Sequence, residues 1–308
     1  TRQNLRSVQL SGFGDVSWSP DGTFVAATTS GDELKTYYSS NMTPLFSVGT
    51  SGEDTHELEY SSDGSMIAVV GARDGGSGNG QVEIFDSMNG TLIHSFEPAG
   101  EDQFYSVDWS PDSSRILIGG DEDVWIYNVG GSWTANRSFN TNRGTNNAVA
   151  WSPDGNSFAT CEAYTSSGAR VRMFDIASSQ EIWAYSTSTT CNDLAWSPDS
   201  TQVAASMTYY QSDGASVRIF DADSGNIVDT VSGPRPGGCT SSGWGNDCGS
   251  IYGIDWHPNG LYIIGAMGRN DEGLFHWIVD PDIDGDGVLN GDDAFPEDGT
   301  QWNDTDND

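Results

Sequence analysis

Positive charge is scarce in this chain. Only 12 Lys plus Arg stand against 45 Asp plus Glu in 308 residues, a formal net charge of −33, and Lys35 is the single lysine. A surface of that sign repels nucleic acid and anionic membrane, so nucleic-acid binding is excluded as a function. The same acid-rich balance suits a salt-rich habitat, where screening relieves self-repulsion. No apolar run reaches the length that spans a bilayer, so no direct membrane insertion is expected in this segment. The start Thr1-Arg2-Gln3-Asn4 lacks a signal-peptide core, and the chain reads as a mature or trimmed form. Catalytic signatures are missing as well: there is no G-x-S-x-G, no H-E-x-x-H and no P-loop. The four histidines, 56, 94, 257 and 276, share no motif. His56 reads as a structural partner near a first strand. Cysteine is limited to Cys161, Cys191, Cys239 and Cys248, without the C-x-x-C spacing of a zinc or redox site. An even set of this kind points to two disulfides and an oxidising compartment.

What is present is a repeat. Val16-Ser17-Trp18-Ser19-Pro20-Asp21-Gly22 recurs five times with small changes, around the aromatic anchors Tyr60, Trp109, Trp151, Trp196 and Trp256. Successive anchors lie 42, 49, 42, 45 and 60 residues apart, the period of a unit of four short strands. Each phrase has a mechanical reading: an apolar strand ends in the aromatic residue, and Pro-Asp-Gly supplies the fixed φ, the capping side chain and the permissive residue of a tight turn. The repeated aspartates therefore mark turns. They lack the spacing and trailing aromatic of the sialidase Asp box and support no glycosidase claim. A β-branched run follows each turn, as in Phe24-Val25-Ala26-Ala27-Thr28, and a third strand such as Val82-Glu83-Ile84-Phe85-Asp86 comes after a polar loop.

These lines resemble the WD-repeat propeller family, with Phe-Asp closing the third strand where the family often has Trp-Asp. The regular Gly-His pair of that family is missing, which leaves the Pro-Asp-Gly-rich periplasmic propellers as an alternative relative with the same fold. The resemblance implies an all-β, six-bladed β-propeller over residues 1–279. Asn4-Leu5-Arg6-Ser7-Val8-Gln9-Leu10 is expected to serve as the outer strand of the last blade and close the ring. A propeller gathers second-to-third-strand loops and blade-to-blade loops on one face. Cys161 and Cys191 fall on that face and are placed to pair; Cys239 and Cys248 bracket a Gly-rich insertion that presents Trp244. With Tyr209 and Tyr210 in another long loop, Trp244 marks this face as the candidate binding surface, with ordinary loop-length variation as the bland alternative.

Residues 280–308 have a different composition. Asp282, Asp284, Asp286, Val288 (through its carbonyl), Asn290 and Asp293 occupy the first, third, fifth, seventh, ninth and twelfth positions of a calcium loop, with Gly287 at the sharp turn. Asp280, Asp298, Asp304, Asp306 and Asp308 are further possible ligands. The segment resembles thrombospondin type 3 repeats, which implies Ca2+ as cofactor and a calcium-stiffened stalk continuing beyond residue 308. Asn41, Asn89, Asn136 and Asn303 head glycan-acceptor triplets.

Together these features lead to an extracellular or cell-surface protein-interaction or adhesion module, non-enzymatic, with a protein or glycan ligand on a rigid propeller face. Two alternatives stand beside it. One is a secreted propeller hydrolase or lyase, which clustered carboxylates of raised pKa at the channel mouth would favour. The other is a structural subunit of a surface layer or filament, self-associating through shared calcium.

Overall fold

A computed structural model describes residues 7–8, 10, 14–29, 32–51, 54–72, 80–98, 102–141, 145–163, 168–208, 216–232, 250–268 and 273–279. Every regular element among them is a strand. The first sheet contains β1 (Val16–Trp18), β2 (Phe24–Thr29), β3 (Glu33–Tyr38) and β4 (Pro44–Gly49). The second contains β5 (Asp54–Tyr60), β6 (Met66–Ala72), β7 (Gly80–Asp86) and β8 (Leu92–Phe96); the third β9 (Phe104–Trp109), β10 (Arg115–Gly120), β11 (Asp123–Asn128) and β12 (Ala135–Asn140). The fourth is β13 (Asn146–Trp151), β14 (Ser157–Glu162), β15 (Ala169–Asp175) and β16 (Gln180–Thr187). The fifth is β17 (Cys191–Trp196), β18 (Gln202–Met207), β19 (Ser216–Asp221) and β20 (Ile227–Ser232), and the sixth β21 (Ser250–Trp256), β22 (Tyr262–Gly268) and β23 (Gly273–Ile278). Strands follow one another in space as they do in sequence within every sheet. This is the all-β, six-bladed propeller pattern that the repeat predicts.

The sixth sheet has three strands among the described residues. Of the expected N-terminal outer strand, Asn4–Leu10, only Ser7, Val8 and Leu10 are described, without regular structure; the rest of it lies outside the described residues.

The chain forms two compact units, Thr1–Leu194 and Ala195–Asp308. The sequence placed its only boundary near residue 279. In the first unit, apolar cores lie between consecutive sheets. Ala26 and Leu34 meet Leu58, Tyr60, Ile67, Val69 and Phe85. Val70, Val82 and Ile84 meet Phe104, Val107, Trp109 and Ile116. Leu117, Val124 and Phe139 meet Val149, Trp151, Phe158 and Phe174. Because neighbours of opposite facing, such as Ile116 and Leu117, go to different cores, the second strands are buried on both faces and read as continuous apolar runs. The second unit repeats the arrangement, with Ala204, Val217 and Ile219 against Ile251, Ile254, Trp256 and Ile263. Fourth strands are edges and stay largely exposed, as in β8.

The Ser-Pro-Asp-Gly phrase folds as its chemistry dictates. In the first sheet the Ser19 hydroxyl donates to Asp21 at 2.7 Å and accepts from the Phe24 N–H, and Asp21 accepts from the Thr23 N–H at 2.9 Å. Gly22 takes φ +69°, which an L side chain resists. In the third sheet Ser113 holds the same conformation at φ +56°, and its hydroxyl accepts the Asp63 N–H of the neighbouring turn at 2.9 Å. That inter-sheet bond explains a serine where glycine is the easier residue.

Candidate functional site

In the first unit, the first strands of successive sheets lie side by side without a shared ladder, so their facing backbone donors need other partners. Side chains supply them. The residue three before each of the first three anchors reaches into the next sheet: Asp15 accepts the Leu58 N–H at 3.0 Å, Glu57 the Val107 N–H at 2.7 Å, and the Ser106 hydroxyl the Val149 N–H at 2.9 Å. One position before the anchor, Asp108 accepts the Trp151 N–H at 2.6 Å and its neighbour Trp109's N–H at 2.6 Å. The Ser106 hydroxyl also donates to Glu57. A hydrogen-bonded girdle thus runs across the first four sheets.

These acids titrate abnormally. Burial raises Asp15 against the N–H groups of Leu58 and Val16. Glu57 is pushed well above the carboxylate range, by burial first and then by the charges of Asp15 and Asp193. Asp108 is pushed up to about 7 by burial, against two N–H donors. The turn aspartates go the other way. Asp21 is lowered to about 2 by the hydroxyls of Ser19 and Thr23, and Asp112 to about 2 by those of Ser110 and Ser114.

The first strands also carry bulges. The ladder slips between Thr55 and Glu57, at Ser106 and Phe104 opposite Gly119 and Gly120, and between Asn146 and Ala148. His56, Tyr105 and Asn147 are the extra residues, re-aimed away from the sheet. The rings of His56 and Tyr105 lie 5.0 Å apart. The Tyr105 hydroxyl donates to Asp121 at 3.1 Å, and burial followed by that carboxylate pushes it up to about 12. Asn147 donates to the Cys191 carbonyl at 2.8 Å.

At the fourth sheet the girdle stops, because Ala148 and Ala150 occupy the two acceptor positions. There Cys161, late in β14, is joined to Cys191, at the start of β17, with 5.3 Å between Cα atoms and both residues fully buried. The bond is made from strand positions rather than from loops.

The other proposed site residues divide simply. Asn41, Asn89 and Asn136 are exposed, the first two in tight third-to-fourth-strand turns where Asn41 and Asn89 accept N–H bonds from Thr43 and Thr91. Asn303, the pair Cys239 and Cys248, the loop residues Tyr209, Tyr210 and Trp244, and the whole calcium segment from Asp280 to Asp308 lie outside the described residues. Among the described residues, no group of three or more His, Cys, Asp and Glu side chains converges as a metal-ligand set. The first-strand acids were missed in the sequence, although a signal exists: an acid or hydroxyl three residues before the aromatic anchor in four of the six repeats, Asp15, Glu57, Ser106 and Asp193.

Comparison with known proteins supports the fold. The family model described as Eukaryotic translation initiation factor eIF2A matches residues 95–232, and that described as Anaphase-promoting complex subunit 4 WD40 domain matches residues 16–112. No curated protein matches the sequence. Among solved structures, hydrazine synthase of Kuenenia stuttgartiensis superposes with a TM-score of 0.69 at 16% identity, over 86% of this chain and 76% of that one. The chain has a β-propeller fold, with similarity to a WD40 domain over residues 16–112.

Proposed function

We propose that this propeller is a non-enzymatic interaction module working outside the cell or at its surface, holding a cationic protein or glycan partner on its wide-loop face. The fold itself suits protein interaction. The observation that carries the reading is the acidity of that face in the first unit. Asp32 and the Asp121-Glu122-Asp123 run lie in or beside second-to-third-strand loops, and Asp102 lies in a sheet-to-sheet link. On a chain of net charge −33, such a face attracts positive partners and speeds their encounter. The buried disulfide supports an oxidising compartment. The C-terminal calcium loop would serve as a Ca2+-stiffened stalk, with Asp282, Asp284, Asp286, Asn290 and Asp293 as side-chain ligands.

Binding of the full chain to a lysine-rich peptide, followed by biolayer interferometry at two salt concentrations, tests the reading. The expected result is association that weakens with salt and drops at least about tenfold in Asp102→Lys/Glu122→Lys, as loss of rim charge should produce. Association equal in the variant, or absent in the wild type, overturns it.

One observation favours the hydrolase alternative. Glu57 is a carboxyl of raised pKa beside the charges of Asp15 and Asp193, with His56 and Tyr105 re-aimed close by. A carboxyl of raised pKa packed beside other acids is a feature that acid–base hydrolysis uses. Glu57→Gln keeps an acceptor for Val107 and removes the proton. A hydrolytic activity on a glycan panel that falls more than about a hundredfold in this variant would favour the enzyme.

A further inference from the structure

Glu83 is a buried carboxylate at a position where other sheets of this chain place a cation. The registers Val69 with Glu83, Ala27 with Lys35, Thr160 with Arg172 and Ala205 with Arg218 are equivalent. Lys35 pairs with Glu33 at 2.8 Å, and Arg172 with Glu181 at 2.6 Å. Glu83 reverses the sign. It is 5% exposed, and among the described residues no Lys, Arg or His pairs with it. Among the described residues its donors are the N–H of Ser51 at 2.9 Å and the Ser51 hydroxyl at 2.7 Å.

The surroundings offer oxygen without donors. Gln81, two residues earlier on the same face of β7, is 7% exposed, and its Nε2 donates to the Ser51 Oγ at 2.6 Å. The Ser51 proton is committed to Glu83, which as a carboxylate cannot donate back, so Gln81 has to present its amide nitrogen there. That fixes its Oε1 on the other side, buried and without a partner. The Thr50 Oγ1 and Asp32 Oδ1 are likewise buried and unpartnered, and the two residues are tied together by the Thr50 N–H to the Asp32 carbonyl at 2.7 Å. Asp32 itself is held at φ +55°, a conformation that a non-glycine residue adopts at a cost. Among the described residues this leaves a buried carboxyl group with no cation beside it and three unpaired oxygens, on Gln81, which is bonded to Ser51, on Thr50, its chain neighbour, and on Asp32, which is bonded to Thr50, each costly alone.

We propose that Asp32, Thr50, Gln81 and Glu83 form a binding site for a hard, calcium-sized cation at the junction of the first two sheets. All the ligand atoms are oxygens, two of them carboxylate oxygens, the set that Ca2+ takes with variable coordination number. The ion restores the positive charge that Lys35 and Arg172 supply at the same register. This site is separate from the C-terminal acidic loop and does not depend on the identity of any partner.

Equilibrium dialysis of the full chain against radioactive calcium, in excess magnesium, tests it. A background variant, Asp282→Asn/Asp284→Asn/Asp286→Asn, removes the C-terminal loop as a source of bound calcium. The expected result is about one calcium per chain retained in that background, lost when Glu83→Lys is added and weakened at least about tenfold by Gln81→Met. Glu83→Lys brings its own cation, as Lys35 does, so its circular dichroism should stay that of the wild type. Calcium-induced thermal stabilisation in the background variant should vanish with Glu83→Lys. A background variant that binds no calcium, or Glu83→Lys with undiminished stoichiometry, overturns the site.

Discussion

Asp108 and Asp112 stand four residues apart in the third repeat and titrate in opposite directions. Asp112 sits in the exposed turn, where the hydroxyls of Ser110 and Ser114 hold it at about 2. Asp108 sits on a first strand, where burial lifts it to about 7 although two N–H groups donate to it. Both aspartates are well hydrogen-bonded, so hydrogen bonding does not decide the outcome. Access to water does: the desolvation of a charge outweighs two backbone donors, whereas at the surface a few donors suffice to stabilise it. The turn set gains from being charged, and the first-strand set is held charged at a cost or stays neutral.

That contrast should fail at the fourth sheet, where alanines replace the acceptors and a covalent bond takes over. The largest effect is therefore expected from the disulfide. Cys161 and Cys191 close a loop of separation 30, for which chain entropy predicts about 3–4 kcal/mol of stability. Cys161→Ser/Cys191→Ser should lose that amount in urea unfolding at every pH from 4 to 8. A loss that varied with pH would mean that titrating groups, rather than the bond, hold this junction.

The next effect comes from Asp108. Its folded pKa lies above the value of an unfolded aspartate, so its contribution is fully favourable below about 4 and is lost as pH rises through about 7. A shift of about three units corresponds to about 4 kcal/mol at most. Asp108→Asn abolishes the charge but can accept only one of the two N–H bonds well, which returns about 1 kcal/mol. The variant should therefore be more stable than wild type at pH 8, by about 2–3 kcal/mol, and no more stable at pH 4. Equal unfolding midpoints at pH 8 would place Asp108 among the ordinary carboxylates and erase the comparison.

Ser106 tests the girdle without a charge. Its hydroxyl is the acceptor for the Val149 N–H and a donor to Glu57. Ser106→Ala leaves a buried N–H unpaired, at a cost of about 1–3 kcal/mol. It also removes the hydroxyl that favours the charged form of Glu57, so the cost should grow as pH rises.

The turns were legible in the sequence and the girdle was not, for a reason of range. The bonds that shape each turn internally, such as Ser19 to Asp21 or Phe24 back to Ser19, span at most five residues. Local chemistry therefore fixes the turn, and the phrase alone gives the repeat, the strand ends and the count of six. The girdle bonds span 43 to 50 residues, and an acid on a strand looks the same in sequence whether it faces water or a neighbour's N–H. Bulges at His56, Tyr105 and Asn147 were hidden too, because they depend on register against the second strand. The anchors also differ among themselves: Trp109 is 3% exposed, with its indole donating to the Glu59 carbonyl of the preceding sheet, whereas Trp18 is 61% exposed.

The smallest prediction uses the turns themselves. Asp112→Ala removes an acceptor for three donors from Ser110 and Ser114 in an exposed site, a loss of about 1 kcal/mol by analogy with capping side chains. Its folded pKa is depressed, so this stability is present above the unfolded value near 3.8 and disappears as pH falls through about 2. The variant should thus be less stable at pH 7 and indistinguishable from wild type near pH 2. Since Asp108→Asn is expected to gain stability relative to wild type as pH rises from about 4 to 7, whereas Asp112→Ala loses it as pH rises from about 2 to 4, the two unfolding curves measured side by side isolate desolvation from residue type. If both variants moved in the same direction, the distinction between the two sets of acids would be lost.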